Sequence, residues 1–210
     1  DNFILPPAYG KRMPERVIEL LMAMLPYNPG KRVLDIGHAN AMSCHLKMIS
    51  SLPKPRNITG IDIAPPYYNH SKYYNKSLLA DILSCGLENG SFDLIWCISA
   101  LEHFGMDNSG YAQAYDLDRD MGIKALRRMM LILADGGTLL LTVPFGQFED
   151  WGWMLNYDMH HWQELLSVAH PFADIQEYYF QYVKEKGWIC VDSNKLIEIG
   201  YNSTNNYGAS

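Results

Sequence analysis

Apolar residues recur along this chain in two rhythms, helical spacing and short unbroken runs, and the two alternate from about residue 14 to residue 182. After Pro14, the positions Val17, Leu20, Leu21 and Met24 follow the spacing of one helix face, until Pro26 and Pro29-Gly30 stop it. Arg32 to Ile36 predicts a first strand, and Met42 to Ile49 a helix that the Pro-rich SLPKPRN ends. Ile58 to Ile63 predicts a second strand, and Ser77 to Ala80 a short third one that stops at Asp81. FDLIWCI, from Phe92 to Ile98, is almost wholly apolar, as strands covered on both faces are. Met121 to Leu133 predicts a helix with Leu126, Met129, Met130 and Leu133 on one face, closed by Asp135-Gly136-Gly137 before a fifth strand, Thr138 to Val143. Beyond the aromatic FGQFEDWGWMLNYD comes a helix with Trp162, Leu165, Leu166 and Ala169 on one face, then a last strand over roughly Ile175 to Tyr182.

Strands separated by helices imply an α/β class, a doubly wound and mostly parallel sheet with helices on both faces and a ligand crevice beyond the carboxyl ends of the strands. With 210 residues, 48% of them hydrophobic, the chain suits one large core, so a single domain over residues 1–210 is expected. A net charge of -6 argues against a partner gripped through nucleic-acid phosphates. No apolar run approaches the ~20 residues needed to cross a bilayer, and DNFILPPAYG has no signal-peptide pattern. A soluble, cytoplasmic protein with no membrane span is expected. The four cysteines, Cys44, Cys85, Cys97 and Cys190, are too far apart for a zinc or redox motif and read as reduced, mostly buried thiols.

The chemistry gathers at the strand ends. VLDIGHANA, from Val33 to Ala41, reads as a strand breaking at Gly37 into a nucleotide-binding turn. A dinucleotide turn wants glycines where this one has Ala39 and Ala41, which disfavours a nicotinamide-dependent oxidoreductase. Alanine also takes up positive φ at a cost, so a slightly displaced turn that still binds its ligand is expected, the alternative being a site that has lost it. Asp35, Gly37, Asp62 and Asp81 lie at or just past successive strand ends and should meet on one rim. Asp62 is placed to accept hydrogen bonds from both hydroxyls of a ribose, and Asp81 to pair with an adenine amino group while Ile82 packs on the ring; the alternative for Asp35 and Asp62 is that they cap turns.

The segments VLDIGHANA, GIDIAP, LLADI, FDLIWCISALEHFG and LADGGTLLLTVPFG, in this order and spacing, resemble the class I S-adenosylmethionine-dependent methyltransferases over nearly the whole chain. The resemblance implies a Rossmann-like fold and S-adenosylmethionine as cofactor. Gly37 would lie under its methionine part, Asp62 on its ribose, and Asp81 and Ile82 at its adenine, with Asp35, His38, Ile63 and Ser99 completing the site. ALEHFGMDNSGYAQAYDLDRDMGIKALRRMM, with VPFG and the aromatic loop after it, is similar to a subgroup found with glycan and polysaccharide biosynthesis. That implies a sugar or glycan hydroxyl as acceptor. The family normally closes its sheet with an antiparallel strand, for which Lys195 to Tyr201 is a faint match. The chain is therefore expected to be a fragment of a longer one, with a neighbouring glycosyltransferase domain as one expectation.

A sugar hydroxyl is a poor nucleophile near pH 7, so methyl transfer to it needs a general base or a metal ion. His103, just after the fourth strand, is the leading candidate base, the alternative being that it packs on the cofactor or holds the turn. His161, beside His160 ahead of a helix, and Asp120 are further catalytic candidates. Asp116, Asp118 and Asp120 alternate like hard-cation ligands, but helix capping explains them more simply, so a divalent metal is not favoured. Glu102 reads as structural, and His45, His70 and His170 as surface or packing residues. Gly105 to Tyr115 has the composition of a mobile lid. Tyr67, Tyr68, Tyr73 and Tyr74, and Phe145, Phe148, Trp151 and Trp153, offer ring faces on which a sugar could stack. Two other readings stay open: a small-molecule methyltransferase with a non-sugar acceptor, and a non-catalytic module that keeps the fold for protein contacts.

Overall fold

The computed structural model describes residues 3–110, 112 and 117–201. Its strands are β1 (Arg32–Ile36), β2 (Asn57–Asp62), β3 (Lys76–Leu79), β4 (Phe92–Ile98), β5 (Leu133–Thr142), β6 (Glu149–Asp150), β7 (Leu155–Asn156), β8 (Tyr179–Val183) and β9 (Gly187–Val191). Its helices are α1 (Arg16–Met24), α2 (Ser43–Ser51), α3 (Met121–Ile132) and α4 (Met159–Ser167). The first five strands form one parallel sheet in the order β3-β2-β1-β4-β5. The architecture is the doubly wound, Rossmann-like one that the alternating pattern implies.

The two-residue period of a strand explains why FDLIWCI is apolar throughout. Leu94, Trp96 and Ile98 pack with Leu20 and Ala23 of α1 and Leu46 and Ile49 of α2. Ile95 and Cys97 pack instead with Ala125, Leu126 and Met129 of α3 and Leu165 of α4. One strand thus fills two cores, each fully buried large side chain contributing about 1.5–3 kcal/mol.

Three boundaries depart from expectation. α3 passes directly into β5, whose Leu133 already pairs with Phe92; the ladder resumes with Thr138 opposite Leu94. Asp135-Gly136-Gly137 is therefore an excursion within the strand, with Gly136 at φ +69°, and not the helix terminator it resembles. The strand expected over Ile175 to Tyr182 lies outside the main sheet, β8 pairing antiparallel with β9. Tertiary packing decides this: Phe180, Tyr182 and Trp188 close over Ile18 of α1 with Phe3, Leu5 and Tyr9, and the Trp188 amide donates to the Tyr9 carbonyl at 2.8 Å. Lys195 to Tyr201 forms no strand among the described residues; Ser193–Lys195 is a single 3₁₀ turn.

All four cysteines are free, but only Cys97 is buried and Cys44 is exposed, so the expectation of mostly buried thiols fails. Among the described residues, no helix is long and apolar enough to cross a membrane.

Candidate active site at the strand switch point

From β1 the chain steps outward to β2 and β3, then returns to lay β4 on the other side of β1. A crevice opens where the order reverses, beyond the carboxyl ends of β1 and β4. A cavity of about 420 Å³ is lined there by Gly37 after β1, Asp62 and Ile63 at β2, Asp81 and Ile82 after β3, and Ser99 after β4. His103 also lines it.

Gly37 sits at φ +80°, and a Cβ there would come 2.6 Å from the Cβ of Ala100. The turn needs glycine at this position on both counts. Ala39 and Ala41, in contrast, are absent from the residues with positive φ, and both are buried. The positive-φ cost expected at these alanines therefore does not arise.

The Asp62 carboxylate ties this turn down. Its Oδ2 accepts from the Ala39 amide at 2.8 Å and its Oδ1 from the Ala64 amide at 2.9 Å. Each carboxylate oxygen retains further acceptor capacity, so anchoring the backbone is compatible with facing a ligand. Asp81 likewise caps its own turn, accepting from the Leu83 amide at 2.8 Å.

Two expected cofactor residues do not reach the cavity. Asp35 is 1% exposed, and its Oδ2 accepts from the Tyr74 hydroxyl at 2.6 Å and meets His45 Nε2 at 3.0 Å. Burial opposes ionisation there, but attraction and hydrogen bonding from His45, with the Tyr74 bond, hold the carboxyl below its ordinary range. His38 turns its ring onto Gly60, where a side chain would collide with it, and its Nε2 lies 2.7 Å from Ser77 Oγ. His70 completes this interior cluster, stacked on Tyr74 at 5.5 Å between ring centroids. His45 and His70 are thus buried members of a polar network and not surface residues.

Ser99 is a non-glycine residue at φ +43°, a costly conformation that its neighbours enforce. Its amide donates to Thr142 Oγ1 at 2.9 Å, and its hydroxyl donates to the Glu19 carboxylate. Glu19 also accepts from the Thr142 hydroxyl at 2.9 Å and pairs with Arg16 at 2.9 Å. Through this chain of contacts α1 brings Arg16 to the cavity wall. The motifs at the strand ends gave no sign of it; the signal was an Arg and a Glu three apart on an otherwise apolar helix face. Asn40 from the VLDIGHANA turn, Phe104 next to His103, and Trp153 from the aromatic loop line the cavity as well.

His103 ends the 3₁₀ turn Leu101–His103. Its Nδ1 lies 2.9 Å from the Trp153 carbonyl oxygen, and the two rings stack at 5.3 Å. A carbonyl only accepts, so in the neutral imidazole Nδ1 carries the hydrogen and Nε2 the lone pair. Burial lowers the His103 pKa, the Trp153 carbonyl opposes this, and nearby Arg16 lowers it further. Beside it the buried Glu102 carboxyl is pushed up to about 8, chiefly by desolvation.

The remaining candidates lie elsewhere. His161 is held by Asp158, the N-cap of α4, at 2.6 Å and stacks on Phe148 at 4.0 Å, away from the cavity lining. Asp120 is exposed at the start of α3 and does not line the cavity either. Asp118 is engaged by Lys124 at 2.6 Å, and Asp116 lies outside the described residues, as does most of the expected lid after Gly110. Of the aromatic candidates Trp153 alone lines the cavity; Phe148 and Trp151 are exposed, whereas Tyr74 and Phe145 are buried.

A methyltransferase-domain profile matches residues 9–176, so the chain belongs to that family. Several solved structures share the fold. The [4+2]-cyclase SpnF superposes with a TM-score of 0.57 at 17% identity, over 80% of this chain and 60% of its own. A SAM-dependent methyltransferase from Archaeoglobus fulgidus gives 0.58 at 16% identity, over 83% of this chain and 76% of its own. The 1,6-didemethyltoxoflavin-N1-methyltransferase of Burkholderia thailandensis, solved with S-adenosylhomocysteine, gives 0.54 at 15% identity, over 82% of this chain and 74% of its own. This chain thus spans 60% of the cyclase's length.

Proposed function

We propose that the chain forms one domain that binds S-adenosylmethionine in the switch-point cavity and transfers its methyl group to a sugar or glycan hydroxyl. The observation that carries the cofactor assignment is the polarity of the cavity wall. Carboxylates of Asp62 and Asp81, each followed by an isoleucine, stand over β2 and β3, while Arg16 is tied through Glu19 to the ends of β4 and β5. A ligand with ribose hydroxyls and an adenine at one end and a carboxylate at the other matches that order. S-adenosylmethionine has both, and the Burkholderia relative carries its demethylated product.

Bound there, the cofactor supplies an electrophilic methyl group on a cationic sulfur. The protein's part is to orient the acceptor and to take its proton. Asp62 accepts from the ribose hydroxyls, Ile63 and Ile82 flank the adenine, and Arg16 pairs with the carboxylate. His103, neutral by virtue of its lowered pKa, presents Nε2 to the acceptor hydroxyl as general base. Trp153, stacked on His103 in the cavity wall, offers the acceptor a ring face. The sugar assignment rests on this aromatic wall and on the resemblance of the Glu102-His103-Phe104-Gly105 turn.

Calorimetry with S-adenosylhomocysteine tests the first part; one-to-one binding is expected, and no heat at millimolar ligand refutes it. Incubation with methyl-labelled cofactor, nucleotide sugars, oligosaccharides and phenolic acceptors tests the second. Label confined to the phenolic acceptors would overturn the sugar assignment.

A further inference from the structure

Glu102 is a buried carboxyl that cofactor binding does not use. Its side chain is 5% exposed, and Oε1 lies 3.8 Å from His103 Nε2. Its Oε2 has no hydrogen-bond partner among the described residues. Such a group is costly to leave unsatisfied, and a second function repays the cost. The geometry points to Glu102 as the positioning residue for His103, the counter-ion of the imidazolium that forms when His103 takes the acceptor's proton.

This inference rests on His103 being the base. In the step concerned, the acceptor oxygen forms its bond to the methyl carbon as the carbon–sulfur bond breaks, and that bond's electron pair stays on sulfur. The acceptor O–H bond breaks with its electrons left on oxygen, and the proton passes to Nε2, the only ring nitrogen with a lone pair while Nδ1 donates to Trp153. The positive charge this places on the ring then lies 3.8 Å from Oε1, close enough for attraction and too long for a direct bond in the resting geometry. The other titratable groups that face Glu102 are Glu15, Arg16 and Glu19 from the α1 end, Cys97 from β4, Tyr157 and Tyr201. Burial, Glu19 and Glu15 disfavour its charge while its own backbone amide and Arg16 favour it, so beside a neutral His103 the carboxyl ionises near pH 8, and an imidazolium formed next to it favours the carboxylate further.

The test is a histidine NMR titration of the whole chain from pH 5 to 10, with His103 assigned from the spectrum of His103→Gln. The wild type should show two inflections in the His103 ring resonance, one below pH 6.5 from its own protonation and one near pH 8 from Glu102. In Glu102→Gln, which has the same shape and no charge, the upper inflection should vanish while the lower one stays. A Glu102 whose charge does not reach the His103 ring gives no upper inflection. A single inflection in the wild type, or an upper one that survives in Glu102→Gln, overturns the inference. The buried His45 and His70 resonances report in the same spectra whether the variant is folded. Calorimetry with S-adenosylhomocysteine on both proteins is a separate readout: absent binding in the wild type sinks the cofactor assignment and leaves the Glu102–His103 result standing on its own.

Discussion

Gly37→Ala is the sharpest test of the cofactor turn, because the structure supplies its own control. Gly37 and Gly30 have nearly the same backbone, φ +80° and +87°, but a Cβ at Gly37 meets the Ala100 Cβ at 2.6 Å whereas one at Gly30 meets nothing within 4 Å. Gly30→Ala therefore carries backbone strain alone, about 1–2 kcal/mol. Gly37→Ala carries that strain plus a steric overlap of about 1–3 kcal/mol, since Ala100 is buried and must move. At about 2–4 °C per kcal/mol for a domain of this size, the overlap should lower the melting temperature by a further 2–12 °C or so. Ala100 follows Ser99 in the cavity wall, so its displacement should also weaken S-adenosylhomocysteine binding at least about tenfold, or 1.4 kcal/mol. Gly30→Ala should leave affinity unchanged. Differential scanning fluorimetry and calorimetry on the two variants measure both effects. Equal melting temperatures and equal affinities would refute the reasoning.

Asp62→Asn keeps one acceptor oxygen for two backbone amides, so either the Ala39 or the Ala64 N–H loses its partner. A stability loss of about 1–3 kcal/mol in urea titration is expected, together with weaker ligand binding; unchanged stability would show that the amides find water instead. Arg16→Ala should weaken S-adenosylhomocysteine but spare 5′-methylthioadenosine, which lacks the carboxylate; equal losses for both would remove Arg16 as its partner. His70 is held neutral chiefly by burial, with His38 and His45 adding and Asp35 opposing. Its folded pKa lies below the unfolded one, so the unfolded chain binds more protons in between. The stability due to a neutral His70 is full above about pH 6.5 and is lost as pH falls towards the folded value. Urea midpoints at pH 7.5 and 5.5 should therefore differ less in His70→Gln than in the wild type, and an equal difference would exclude His70 as the source.

The fold was legible wherever a local rule and the tertiary packing agreed. The apolar run from Phe92 to Ile98 could only be a doubly covered strand, and the two cores beside it follow from its alternation. The errors fall where an unseen partner overrides the local signal. Asp135-Gly136-Gly137 carries a helix-stop composition, but Leu133 already pairs with Phe92, so the glycines only loop the strand outward. The segment after Ile175 reads as one more strand for the sheet, yet Phe180 and Tyr182 find their apolar contacts on α1 and the N-terminal residues. Sequence spacing carries no information about such distant contacts.

The site shows the same division. Backbone position was readable: Gly37, Asp62, Ile63, Asp81, Ile82, Ser99 and His103 all reach one cavity because strand ends in a parallel sheet converge. Side-chain direction was not. Asp35 is in β1, one residue before its end, yet its carboxylate turns into the His45 and Tyr74 network, and His38 fills the space over Gly60. That network in turn explains the alanines. A pyrophosphate demands glycine because backbone and phosphate must touch, whereas here the turn is shaped from beneath by His38 and fastened at its rim by Asp62 accepting from the Ala39 amide. With Ala39 and Ala41 at ordinary φ and buried, their methyl groups add packing where a dinucleotide turn would leave room. The turn's one glycine is Gly37, just past β1, where a Cβ would meet the Ala100 Cβ.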